Sequence, residues 1–137
     1  MSVFADTSGL YAVMDSGDAG HPRAAAVWRE LLRGPEPLLT TNYVFVEMMA
    51  LVQARLGLDA VRDFLADMAP VLGLIWVDEP LHRAAARSLI LAARRGLSFV
   101  DCVSFAAMEQ AGARKAFTLD HHFREQGFEV LPTAPEH

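Results

Sequence analysis

Apolar residues in this chain come in two alternating forms: short continuous runs, and longer stretches in which they recur at helical spacing. Val3-Phe4-Ala5 is the first run, and it ends at Asp6-Thr7-Ser8-Gly9, which predicts a strand turning into a helix. Gly17-Asp18-Ala19-Gly20 breaks that helix. The next is predicted from about Pro22 to Arg33, with proline in its first turn and Gly34 past its end. Pro37–Thr40 reads as a strand, and Thr41–Arg55 as a long apolar helix stopped by Gly57. Asp59 is placed to cap a further helix reaching Met68. Leu72–Val77 predicts a third strand. Asp78-Glu79-Pro80 then opens a helix that runs to Arg94-Arg95-Gly96, acids first and bases last, as the helix dipole favours. Leu97–Met108 begins a helix that ends near Gly112, and Lys115–Leu119 and Gly127–Leu131 complete the strands. Strands alternating with helices predict an α/β fold, a parallel sheet covered by helices on both faces. At 137 residues the chain suits one core, a single domain over 1–137.

Charge is distributed unevenly over these elements. Three windows, Met1–Met14, Asn42–Ala54 and Gly96–Met108, hold 14, 13 and 13 residues in a chain that is 21% charged. They contain three charged side chains, all acids: Asp6, Glu47 and Asp101. An isolated carboxylate in a segment of buried character needs a partner, because stranding it costs several kcal/mol or forces it to take up a proton. No window supplies a Lys, Arg or His. A shared cation is one economical partner. Asp6 follows the first predicted strand and Asp120 follows Lys115–Leu119, so both can face the crevice beyond the carboxyl ends of the sheet, where open α/β sheets bind ligands. Hard carboxylate oxygens without clustered Cys or His favour Mg²⁺ or Mn²⁺ over Zn²⁺. Such a set suits metal-assisted phosphodiester hydrolysis.

Each acid also has a simpler use. Ser98-Phe99-Val100-Asp101 is a capping box before an apolar run. Asp6 and Asp120 each stand at the start of a predicted helix, where capping is the ordinary duty of the residue. Glu47 is the hardest to dismiss, since Val44, Phe45, Val46, Met48 and Met49 surround it.

Composition narrows the classes. A net charge of −5 argues against a passive nucleic-acid binder, though not against an enzyme whose acids hold divalent ions. No apolar run approaches the roughly 20 residues of a membrane span, and Met1–Asp6 turns acidic too early for a signal peptide. A lone cysteine, Cys102, excludes an internal disulfide framework and suits a reducing compartment, so the expected location is cytoplasmic. Cys102 reads as a small buried residue rather than a nucleophile.

The order DTSGLYA, NYVFVEMMALVQARLG, LSFVDCVSFAAM and FTLDHHF followed by GFEVLP resembles the PIN-domain ribonucleases, and among them the small toxins of VapBC-type toxin–antitoxin modules. The resemblance covers essentially the whole chain. It implies a parallel sheet of four to five strands in the order 3-2-1-4-5, with Asp6, Glu47, Asp101 and Asp120 gathered at one Mg²⁺ or Mn²⁺ site. Thr7, Ser8 and Thr118 would orient ligands or water there. It further implies a metal-dependent endoribonuclease acting on tRNA or other structured RNA, a homodimer, and a cognate VapB-type antitoxin covering the acids.

An RNA enzyme needs positive surface near its acids. Arg94, Arg95, Arg114, Lys115 and Arg124 lie close in sequence to the third or fourth acid and are candidates, while His121 and His122 read as exposed residues at a helix start. Trp28, Leu31 or Leu32 are candidates for an apolar groove that would take an antitoxin helix. The rivals are an inert PIN-like scaffold or RNA-binding module, and a phosphatase or phosphoacceptor built on one aspartate. The last would want a second acid near the first strand, where Ser8 stands instead.

Overall fold

The computed structural model describes residues 1–133; residues 134–137 of the expected domain lie outside them. Five parallel strands form one sheet: β1 (Val3–Ala5), β2 (Leu38–Thr41), β3 (Leu72–Ile75), β4 (Lys115–Phe117) and β5 (Glu129–Leu131), in the spatial order β3-β2-β1-β4-β5. Phe4 pairs with Leu39 on one side and Ala116 on the other. Val3, Phe4 and Ala5 are all fully buried. Successive strand residues point to opposite faces, so helices cover both faces of the sheet, as the continuous apolar run of β1 requires.

Among the described residues, seven α-helices connect the strands: α1 (Thr7–Met14), α2 (His21–Arg33), α3 (Asn42–Leu56), α4 (Leu58–Asp63), α5 (Glu79–Ala92), α6 (Phe99–Ala111) and α7 (His122–Glu125). α1 packs on both α2 and α3, and α6 on both α3 and α5. α1 lies unusually close to the sheet because Gly9 has no side chain. A Cβ there would stand 2.8 Å from the Phe117 carbonyl oxygen. α6 ends at Gly112, whose φ of 70° is the left-handed conformation that closes many helices.

Four expectations need correcting. Asp59 does not cap a helix reaching Met68: it lies inside the first turn of α4 and pairs with Arg62 at 2.6 Å. Beyond Asp63 the chain passes through a π-helical turn (Phe64–Met68) and a 3₁₀ turn (Ala69–Val71), where Pro70 cannot donate a helical hydrogen bond. α5 stops at Ala92, so Arg94 and Arg95 follow the helix rather than close its last turn. Trp28 is core, not groove: it is 6% exposed and its ring stacks on Phe117 with centroids 5.8 Å apart. The strands after Leu72 and Lys115 are also shorter than predicted, ending at Ile75 and Phe117.

Candidate active site

β1 and β4 are neighbours in the sheet, yet the chain leaves them toward opposite edges. That arrangement is a topological switch point, where loops part and leave a crevice at the carboxyl ends of the strands. Asp6 immediately follows β1, and Thr118, Leu119 and Asp120 follow β4. A cavity of about 470 Å³ opens there, and Asp6, Glu47, Asp101 and Asp120 all line it.

Local structure explains how each acid is held. Asp6 is the N-cap of α1, 4% exposed. Its Oδ2 accepts the Ser8 hydroxyl at 2.8 Å, the Thr118 hydroxyl at 2.8 Å and the Ser8 N–H at 3.4 Å. Ser8 Oγ and Thr118 Oγ1 lie 3.0 Å apart, and each also accepts a backbone N–H, from Leu119 and Asp120 respectively, at 2.9 Å. Asp101 completes the capping box of α6: Ser98 Oγ takes the Asp101 N–H at 3.0 Å, and Asp101 Oδ2 takes the Ser98 N–H at 3.1 Å. Asp120 Oδ1 accepts both the backbone N–H and the Nδ1 of His122, at 2.9 and 2.7 Å. Glu47 sits mid-way along α3, half-buried.

The three aspartates thus share one pattern. Every hydrogen bond each accepts within the described residues falls on a single carboxylate oxygen, leaving the second uncommitted on a residue that lines the common cavity. Capping and ligand duty are therefore not alternatives here.

The electrostatics are unfavourable to these acids as they stand. Burial pushes the Asp6 carboxyl up to about 6, against the pull of its bonds to Ser8 and Thr118, and Asp101 and Asp120 add to the rise. Asp101 is also raised, first by burial and then by the charge of Asp120, with its Ser98 bonds opposing. A cation in the cavity would reverse both effects. Thr7 also lines the cavity, and its hydroxyl is buried without a hydrogen-bond partner among the described residues. The donors are hard oxygens, which suits Mg²⁺ or Mn²⁺. The only three His, Cys or carboxylate groups with ligand atoms within 4.8 Å of one another, among the described residues, are Asp120, His121 and His122. No three of the four carboxylates bring ligand atoms within 4.8 Å of one another, and Mg²⁺ ordinarily fills such gaps with water.

None of the basic candidates Arg94, Arg95, Arg114, Lys115 and Arg124 is among the residues lining the acidic cavity. Lys115 stands at the start of β4, away from the crevice, paired with Glu36 at 3.1 Å. Arg94 is paired with Glu125, and Arg95 is exposed in the segment before Gly96. Arg55 is the cation that lines the acidic cavity, its guanidinium 5.4 Å above the Tyr11 ring. It was legible in principle, since Glu47, Leu51 and Arg55 recur at i, i+4 and i+8 on one face of α3. Asp18 also lines the cavity. His122 is not an exposed helix-start residue: it is 7% exposed, with its ring stacked on that of exposed His121. Cys102 is buried, and that burial, with the charge of Asp101, pushes its thiol up and disfavours the thiolate a nucleophile needs.

Comparison with known proteins identifies the family and the fold. Residues 3–129 match the family model for the PIN domain. The chain is 33% identical over 132 residues, 95% of its length and 98% of the relative's, to the 23S rRNA-specific endonuclease VapC20 of Mycobacterium tuberculosis. The crystal structure of that protein, a sarcin–ricin loop cleaving toxin, superposes with a TM-score of 0.83 at 32% identity, covering 98% of this chain and 100% of that one. Two more distant structures share the fold. VapBC2 of Rickettsia felis, bound to a DNA fragment from its promoter, matches at TM-score 0.71 and 12% identity, covering 95% of this chain and 97% of that one. FitAcB of Neisseria gonorrhoeae matches at 0.70 and 17%, covering 93% and 95%.

Proposed function

The chain belongs to the PIN-domain family, and from that premise we propose that it is a metal-dependent endoribonuclease, the toxin of a type II toxin–antitoxin pair. The observation that carries the reading is the shared pattern of Asp6, Asp101 and Asp120: one oxygen tied to the protein, the other uncommitted, on residues lining one cavity at the switch point. Asp6, Asp101 and Glu47 would hold Mg²⁺ or Mn²⁺, with Asp120 assisting directly or through water. When bound, the ion polarises a phosphoryl oxygen and acidifies a water for attack at phosphorus.

The remaining work falls to the chain's own groups. Ser8 and Thr118 hold Asp6 in one rotamer and favour its ionised form. Thr7 lines the cavity, and its buried hydroxyl has no hydrogen-bond partner among the described residues. Arg55 offers positive charge on the α3 side, where a phosphodiester must approach an otherwise acidic wall. His122 orients Asp120 through Nδ1. No covalent intermediate is required, and hydrolysis leaves a 5′-phosphate and a 3′-hydroxyl.

The one-third identity to an rRNA-cleaving toxin makes 23S rRNA the first substrate to try. A cognate VapB-type antitoxin and a homodimer complete the proposal. Cleavage of purified bacterial 23S rRNA, with 5′-end mapping, tests it. Cutting is expected with Mg²⁺ or Mn²⁺, and should disappear with EDTA and in Asp6→Asn and Asp101→Asn. Cutting that survives chelation, or full activity in both variants, would overturn the metal mechanism. Cuts confined to tRNA would keep the nuclease and change its substrate.

A further inference from the structure

A second cavity, of about 400 Å³, adjoins the acidic one, and Leu119 and Asp120 line both. Its other walls include Arg23, His121 and Arg124. The electrostatic character inverts across Leu119. On one side five carboxylates face a single arginine, Arg55. On the other, two arginines and a histidine face one carboxylate, Asp120, whose Oδ1 is already bonded by His122.

The two arginines come from distant parts of the chain: Arg23 from the first turn of α2 and Arg124 from α7. Neither has an ion-pair partner among the described residues, whereas Arg94 and Lys115 do. Arg23 spends one N–H of Nη2 on the Thr133 carbonyl at 2.6 Å, which steadies the side chain and leaves its other donors available. Exposed arginines on a surface are ordinarily just solvated. Two of them lining one concavity, neither tied up in an ion pair among the described residues and with a single carboxylate, Asp120, on the same wall, beside a site that must admit a polyanion, point to an anion between them.

We infer that the cleft between Arg23 and Arg124 is a backbone-phosphate subsite for the RNA strand next to the scissile bond. The strand then crosses Leu119 from the acids into this cleft, which fixes the side of the site along which it runs. This rests on the ribonuclease reading above.

The test uses the full-length protein, Mn²⁺, and an RNA fragment spanning the mapped 23S rRNA cut. Arg23→Ala and Arg124→Ala should each raise KM by about three- to tenfold, with kcat within about twofold of wild type. Removing one phosphate contact should also lower the slope of log(1/KM) against log[KCl] by about 0.7 to 0.9 per arginine. Arg23→Lys and Arg124→Lys should keep that slope, because the charge is retained; a purely structural role would not be rescued in this way. Thermal melts confirm that each variant is folded. If the double alanine variant keeps wild-type KM and salt slope while the wild type cuts normally, the subsite is wrong and the nuclease reading stands. If the wild type cuts no RNA with Mn²⁺, both fall together.

Discussion

The Thr118 hydroxyl donates to Asp6 Oδ2 at 2.8 Å, joining the carboxyl ends of β4 and β1 across 112 residues of chain. The same hydroxyl oxygen accepts the Asp120 N–H at 2.9 Å. One buried threonine therefore holds the first acid in place and sets the turn that delivers the fourth.

Thr118→Val keeps the shape and removes the donor. Asp6 then loses one of two hydroxyl bonds that favour its charged form, and the Asp120 N–H loses its acceptor. A loss of about 1–3 kcal/mol is expected at pH 7.5, smaller at pH 4.5, where Asp6 is protonated. Mn²⁺ affinity should fall by about 10- to 100-fold. Urea melts and calorimetric titration measure both, and Thr118→Ser should recover most of each.

Asp6 makes the metal-free protein sensitive to pH. Its carboxyl titrates near 6 when folded and near 3.9 when unfolded. Below about pH 4 both states carry the proton and there is no penalty. Between about pH 4 and 6 the folded state holds a proton that the unfolded state has released, so stability falls as pH rises, and above 6 the full penalty of about 3 kcal/mol applies. Asp6→Asn keeps an oxygen for the cap and should raise the metal-free melting temperature at pH 7.5, with little change near pH 4. Mn²⁺ should stabilise the wild type at pH 7.5 and the variant far less. An unchanged pH profile in Asp6→Asn would contradict this account.

Asp101 and Ser98 separate capping from chemistry. Ser98→Ala removes the acceptor for the Asp101 N–H and should cost about 1 kcal/mol, with cleavage reduced only modestly. Asp101→Asn keeps an oxygen for the Ser98 N–H and removes a carboxylate that burial and Asp120 disfavour, so its metal-free melt should match or exceed wild type while Mn²⁺-dependent cleavage falls by at least about 100-fold. Equal kinetic damage from the two variants would mean that Asp101 acts only through the helix terminus.

Gly9 fixes how closely α1 approaches β4. A methyl group there meets the Phe117 carbonyl at 2.8 Å and its ring at 3.0 Å. Backbone cannot step aside as a side chain can, so Gly9→Ala should destabilise by about 1–3 kcal/mol in urea unfolding. Because Ser8 is next in the chain, its reach to Thr118 should lengthen, and metal affinity should fall with stability.

The order of elements was legible because each strand is an apolar run bounded by turn residues, and a parallel sheet buries such runs on both faces. Three of the five cavity-lining acids were legible because an isolated charge stands out in an apolar segment, and the three nearly uncharged windows carry only Asp6, Glu47 and Asp101. Helix ends were less readable. Ala93, at φ 48°, ends α5 in a conformation that no local signal announces in an alanine.

What the sequence by itself determined is which segments are apolar, where they break and which acids have no neighbour to pair with, since all three are properties of adjacent residues. Only the tertiary structure decided which groups meet. The Thr118–Asp6 bond, the burial of His122 against Asp120, the loss of Lys115 to Glu36 and the convergence of Arg23 with Arg124 all depend on segments far apart in the chain. A side chain's partner is set by the register and packing of the sheet beneath it, and periodicity along one segment carries no record of that.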